Sequence, residues 1–175
     1  MRNSRSILVV VTAAVFLVCN FSPGAGTAAQ NPSARRAQTG GGFKEMLARV
    51  DAAQLELQNG RPAAFKALWS RADDITLSGG FGGAIEKGWK QIDRRLDWVA
   101  TQFSDGSNTI ERLVANQSGD LGYVVQLEHI RFHAPGQVQE SRRDYRVTMV
   151  FRREQEGWRI VHRQADSQMT KESPK

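Results

Sequence analysis

The chain reads as a single α+β domain, with three helices first and a mainly antiparallel, curved sheet last. Three observations predict this. Apolar residues recur at three- and four-residue steps from Phe43 to Phe103, and at two-residue steps from Thr109 to Asp166. Short turn-forming clusters separate the later runs. Helices grouped ahead of consecutive strands pack on one face of a sheet.

The first helix is set by Phe43, Met46, Leu47, Val50, Ala53 and Leu57, which fall on one face, and Asn59-Gly60 supplies its stop. Pro62 suits the first turn of a second helix carrying Phe65, Leu68 and Trp69. Ile75-Thr76-Leu77 reads as a short strand, followed by a sharply turning loop, Gly79-Gly80-Phe81-Gly82-Gly83. A third helix is expected over Lys87–Phe103, with Trp89, Ile92, Leu96, Val99 and Phe103 on one side and Ser104-Asp105-Gly106-Ser107 ending it. Four strands follow, at Thr109–Asn116, Gly122–His133, Ser141–Arg153 and Trp158–Asp166.

Before the domain lies a different kind of sequence. Arg2 and Arg5 precede an apolar run from Ile7 to Val18, and Thr27 and Ala29 place small residues at a cleavage site before Gln30. This is the layout of a secretory signal peptide over residues 1–29, and the run is short of the roughly 20 residues needed to span a bilayer. The expectation is a periplasmic or secreted protein with no stable membrane span after cleavage. Residues 30–42 are polar and Gly-ending, a flexible tether; the domain proper is expected at 43–168, and 169–175 as a disordered tail.

The only cysteine, Cys19, falls in the signal segment, so the mature chain has neither disulfide nor thiol chemistry. The whole chain carries a net charge of +6; without Arg2 and Arg5, 22 basic residues face 18 acidic ones, a net of +4. That mild excess suits a weakly anionic ligand, or simply a solvated surface. The basic cluster Arg142, Arg143, Arg146, Arg152, Arg153, Arg159 and Arg163 lacks interleaved exposed aromatics, and export argues against nucleic acid.

The order of elements resembles the nuclear transport factor 2-like superfamily. Tyr145–Arg153, a turn, then Gly157–Asp166 resemble the closing hairpin of SnoaL-like, ketosteroid-isomerase-related proteins. Gly79–Gly83 with Lys87-Gly88-Trp89 is similar too, as is Gly119-Asp120-Leu121-Gly122-Tyr123 leading into a strand that carries Glu128. The likeness spans Phe43 to Asp166. It departs at Gln164, where relatives often carry a second histidine. The resemblance implies a cone-shaped fold whose concave sheet face and helices enclose a pocket. It does not choose among isomerases, dehydratases, cyclases, epoxide hydrolases and non-catalytic hubs.

Within such a pocket the residues suggest several roles. Ketosteroid-type chemistry needs a carboxylate base and a hydrogen-bond donor for the developing oxyanion. Glu128 is the base in that reading, with Tyr123 or Tyr145 as donor; Asp73, beside Asp74, is a further carboxylate near a pocket wall. Glu128 reads more readily as one half of an ion pair with an arginine of the next strand, such as Arg146. Trp69, Tyr123, Glu128, Tyr145, Thr148 and Arg163 are the expected pocket residues, with Val161 facing the same way. On the last strand Trp158, Ile160, His162, Gln164 and Asp166 alternate with Arg159, Val161, Arg163 and Ala165, and both sets contain an aliphatic residue. His129 and His133 share a face but lack a third ligand, so no metal is expected, and Gly79–Gly83 lacks the setting of a phosphate loop, so no cofactor is. Two functions follow: binding of a small, largely apolar or weakly anionic molecule with isomerase or lyase chemistry attached, or a homodimeric interaction module with a basic edge.

Overall fold

A computed structural model describes residues 42–167. The expected signal peptide and tail, and nearly all of the tether, lie outside the described residues. Helix α1 spans Phe43–Leu57, α2 Ala63–Ala67 and α3 Trp89–Ala100. The strands are β1 Thr76–Ser78, β2 Glu86–Lys87, β3 Ser104–Ser118, β4 Leu121–His133, β5 Glu140–Glu154 and β6 Gly157–Asp166. They form one sheet in the order β2-β1-β6-β5-β4-β3, antiparallel throughout except where β1 runs parallel to β6. The α+β class and the three-helix, curved-sheet architecture are as the periodicity predicts.

Helix α1 buries Phe43, Met46, Leu47, Val50, Ala53 and Leu57 against the sheet's inner face. Each large apolar side chain so buried contributes about 1.5–3 kcal/mol. Gly122 of β4 lets Phe43 approach, since a Cβ there would lie 2.7 Å from the ring. Phe43 in turn packs at 5.3 Å from Phe151 and 5.0 Å from Trp158. Among the described residues no helix is long and apolar enough to cross a membrane.

Three elements differ from expectation, α2, α3 and β3. Helix α2 ends at Ala67, before Leu68 and Trp69, because Trp69 leaves the helix to bridge Ile160 of β6. Helix α3 starts two residues late because Glu86 and Lys87 pair with β1 as a two-residue strand. Helix α3 also stops early, at Ala100 with Thr101 as its cap, and the cluster Ser104–Ser107 does not end it but opens β3. Asp105 adopts a left-handed φ of 50° there, and the register shifts by one residue. The Asn59 side chain pairs with this bulge like a strand, donating from Nδ2 to the Gly106 carbonyl at 3.0 Å and accepting the Gly106 N–H at 3.1 Å.

A second bulge resolves the ambiguity on β6. Phe151 pairs with Ile160 and Val150 with His162, so Val161 is an extra residue without a cross-strand partner. Trp158 and Ile160 therefore face inward before it, and Arg163 and Ala165 after it. His162, Gln164 and Asp166 face outward. Strict alternation cannot place both sets of aliphatic residues inside; one inserted residue can.

Candidate functional site

The inner face of the sheet is apolar except at its centre. On β4, Val124, Gln126, Glu128, Ile130 and Phe132 point inward and are all buried. The Glu128 carboxylate is fully buried and accepts from donors of three elements. Gln54 Nε2 of α1 reaches Oε1 at 2.9 Å, and Gln126 Nε2 reaches the same oxygen at 2.7 Å. Arg163 Nη2 of β6 reaches Oε2 at 2.8 Å, with Nη1 at 3.4 Å from Oε1. Gln126 is itself bridged through Arg112 to Asp51 of α1. Both carboxylate oxygens are already engaged by donors, and neither is free to take a substrate proton without first losing one.

Outward from this cluster lies a cavity of about 60 Å³. Apolar walls come from Leu57, Phe65, Leu77, Leu96, Val99, Phe103 and Ile130, and polar groups from Gln58, Arg95, Tyr145 and Arg163. Three of those polar groups are incomplete: the Tyr145 hydroxyl, Gln58 Oε1 and Arg95 Nε are buried with no hydrogen-bond partner. Burial pushes the Tyr145 phenol above its ordinary range, and the guanidiniums of Arg143 and Arg163 oppose this. Gly80 sets the wall behind the ring, because a Cβ there would come 2.5 Å from Tyr145 Cε1.

Of the expected pocket residues, the structure brings Tyr145 and Arg163 to the cavity, with Glu128 immediately behind Arg163. Glu128 pairs with Arg163 and not with Arg146, which points outward to Asp166. The other assignments need correcting. Tyr123 and Thr148 lie on the outer face, where Tyr123 pairs with Val150 and Thr148 with Val125 and Gln164. Trp69 is buried core, edge-on to Phe65 and bridged to Ile160, and does not reach the cavity. Val161 is the bulge residue. Asp73 sits exposed in the turn before β1, and Asp74 pairs with Arg152. Gln164 is exposed on the outer face, so the departure at that position lies outside the cavity.

Alternation alone does not find Gln54, Gln58 and Gln126. A signal was present: Gln54 and Gln58 continue the apolar face of Val50 at four-residue spacing, and Gln126 interrupts the inner row of β4. Polar residues on an apolar stripe are buried with partners or serve a site.

His129 and His133 face outward, His129 Nδ1 lying 2.6 Å from Asp144 Oδ1 and His133 Nδ1 3.6 Å from Asp105. The His129 bond holds the Asp144 carboxyl below its usual range, helped by Arg142. Among the described residues no three His, Cys, Asp or Glu side chains are grouped to hold a metal. Trp89 is covered by the Arg71 guanidinium at 3.3 Å.

A sheet wrapped around helices, closing on a small cavity with a polar floor, defines a class of cone-shaped domains. The profile of the SnoaL-like domain matches residues 46–169, and the chain belongs to that family. Solved structures share the fold. A candidate dehydratase of the nuclear transport factor 2-like family from Streptomyces avermitilis is 17% identical with a TM-score of 0.62, over 73% of this chain and 97% of that one. A candidate calcium/calmodulin-dependent protein kinase II association domain from Xanthomonas campestris is 18% identical with a TM-score of 0.62, over 75% and 91%. A candidate scytalone dehydratase from Novosphingobium aromaticivorans is 14% identical with a TM-score of 0.59, over 75% and 85%. Among curated proteins none matches.

Proposed function

We propose that this domain binds a small, largely apolar molecule in the cone, through one oxygen-bearing group placed at the Tyr145 hydroxyl, above the polar floor that Arg163 makes. The observation that carries the reading is a pair of unpartnered buried atoms, the Tyr145 hydroxyl and Gln58 Oε1, in a largely apolar cavity. Each leaves a desolvation cost of about 1–3 kcal/mol uncompensated in the empty domain, and a ligand supplies the missing partner. Glu128 supports binding by fixing the Arg163 guanidinium. Isomerase or lyase chemistry with Glu128 as base would first require its release from Arg163, and the geometry favours binding over proton transfer. The apolar run Ile7–Val18 with Thr27 and Ala29 supports a role after export. Native mass spectrometry of the purified chain tests the reading. A small organic molecule should co-purify and be lost in Tyr145→Phe/Gln58→Leu. An empty wild-type pocket, with the double variant more stable, would sink it.

A second reading has its own observation. On the outer face Leu121 is 56% exposed and Tyr123 41%, and they adjoin Thr148 and Val150 around an apolar hollow of about 330 Å³. The charges flanking it are already neutralised within the chain, as Arg146–Asp166, Arg152–Asp74 and His129–Asp144. A second copy laid on this hollow would meet apolar surface bordered by charges paired within its own chain, which favours a homodimer. Light scattering over a concentration series checks it. Tyr123→Lys should give a monomer, and a wild-type monomer at all concentrations counts against it.

A further inference from the structure

The 60 Å³ cavity is not the only space at this end of the cone. A half-open cleft of about 610 Å³ lies at its rim, and Phe81 lines both, so that its ring stands as the partition. The ring packs 5.4 Å from Trp98 and 5.4 Å from Phe103, and the Arg143 guanidinium lies 4.3 Å above its face. The chain around it is built to turn. Gly82 and Gly83 have φ of 74° and 96°, and the loop is tied by Gly82 N–H to the Gly79 carbonyl and by Arg95 Nη2 to the Gly82 carbonyl.

Charge at the rim is unbalanced. Four guanidiniums border the two spaces, and three have carboxylates. Arg163 has Glu128, Arg142 has Asp144, and Arg95 lies 3.7 Å from Glu86. Arg143 has no carboxylate partner among the described residues. Asp144, its neighbour in sequence, also borders the rim cleft but is already held by His129 and Arg142. An uncompensated planar cation therefore stands beside an unpartnered phenol hydroxyl, in front of an aromatic wall. A guanidinium fork matches a carboxylate geometrically, and low-dielectric walls strengthen the attraction.

We propose that cavity and rim cleft form one site for an aromatic or short aliphatic monocarboxylate, bound by Arg143 and the Tyr145 hydroxyl, whose entry draws Arg143 off the face of Phe81. This rests on the pocket reading above and adds the chemical class of the ligand. The apolar body of the acid lies against Phe81 and Phe132, and its oxygens face the two donors. Arg163 stays with Glu128 and contributes the polar floor.

The test is calorimetric titration of the full chain with 2-naphthoate and with 2-naphthalenemethanol, which share a ring system and differ in charge. The wild type is expected to bind naphthoate at least tenfold more tightly. Arg143→Gln should abolish that preference while leaving the alcohol's affinity within twofold, which also reports an intact fold. Arg143→Lys should keep part of the preference, since it retains the charge and loses the fork. Amide resonances of residues 79–83 should shift with naphthoate in the wild type. Equal affinities for the two probes, or a preference that survives Arg143→Gln, would overturn the carboxylate assignment and leave the pocket reading standing. Binding of neither probe to the wild type would overturn both.

Discussion

Replacing Glu128 with glutamine preserves side-chain volume and removes the charge, so it probes the central cluster without opening a cavity. Glu128 is fully buried and the Arg163 side chain is 12% exposed, which leaves water little room to substitute for the lost partner. Three side chains direct donors at the carboxylate, Gln54, Gln126 and Arg163. An amide offers one acceptor oxygen, and turns its own N–H groups toward the remaining donors. Breaking a buried pair from one side costs about 3–5 kcal/mol, because the other charge stays behind. Against a total stability of about 5–15 kcal/mol for a domain, that is a large share, and Tm should fall by roughly 10–20 °C. Urea and thermal unfolding of Glu128→Gln measure it directly. The double variant Glu128→Gln/Arg163→Met removes the stranded cation and should recover about 2 kcal/mol of the loss. A single variant within about 1 kcal/mol of wild type, or a double variant no better than the single, would refute the view that this pair anchors the cone's floor.

Three further outcomes follow from the same geometry. Gly80→Ala drives a Cβ to 2.5 Å from the Tyr145 ring and should cost about 1–3 kcal/mol by overpacking, read as a lowered urea midpoint. In a Tyr123→Phe chain Tyr145 is the one tyrosine left, and ultraviolet titration should place its ionisation above the ordinary value near 10. The raised phenol contributes stability that is complete below that ordinary value and is lost as pH rises through the folded value. Burial lowers the pKa of His162, whose Nδ1 lies 2.7 Å from Thr76 Oγ1. Its contribution is present above the ordinary imidazole value near 6.5 and lost as pH falls through the folded one, so His162→Gln should flatten the decline in urea midpoint between about pH 7 and 5.

The elements were legible in the sequence to within a few residues wherever one periodicity ran unbroken. Strands β4 and β5 are bounded by turn chemistry and alternate strictly along their inner rows, and they lie where Gly122–His133 and Ser141–Arg153 were expected. The facing of single residues was legible only where the sign of the alternation was anchored. Thr148 and Tyr123 neighbour buried residues on both sides, and a polar Thr on an apolar strand is compatible with either face until Met149 and Val147 are known to be the core. On β6 the anchor itself changes partway. Val161 adds one residue between Ile160 and His162, and every side chain beyond it swaps faces relative to a regular strand. An aliphatic residue on each nominal face was the visible trace of that insertion, but its position depends on β5 and β1 supplying the register.

The bulge also decides what the floor of the cone can be. In a regular strand running on from Ile160, His162 would face inward and Arg163 outward, and Glu128 would be buried opposite an imidazole in place of a guanidinium. Gln54 and Gln126 donate only amide N–H groups, so a buried Glu128 carboxylate would then lack a full positive charge beside it. With the bulge, Arg163 enters between β1 and β5, takes Glu128, and leaves His162 against Thr76 at the sheet's outer surface. Glu128 and Arg163 are 35 residues apart, and Gln54 lies on another element, so neither position declares the pairing alone. The apolar stripe of α1 broken by Gln54, the inner row of β4 broken by Glu128, and the split faces of β6 are three separate irregularities. Each costs stability locally, and they offset one another only because the fold brings them to the same point.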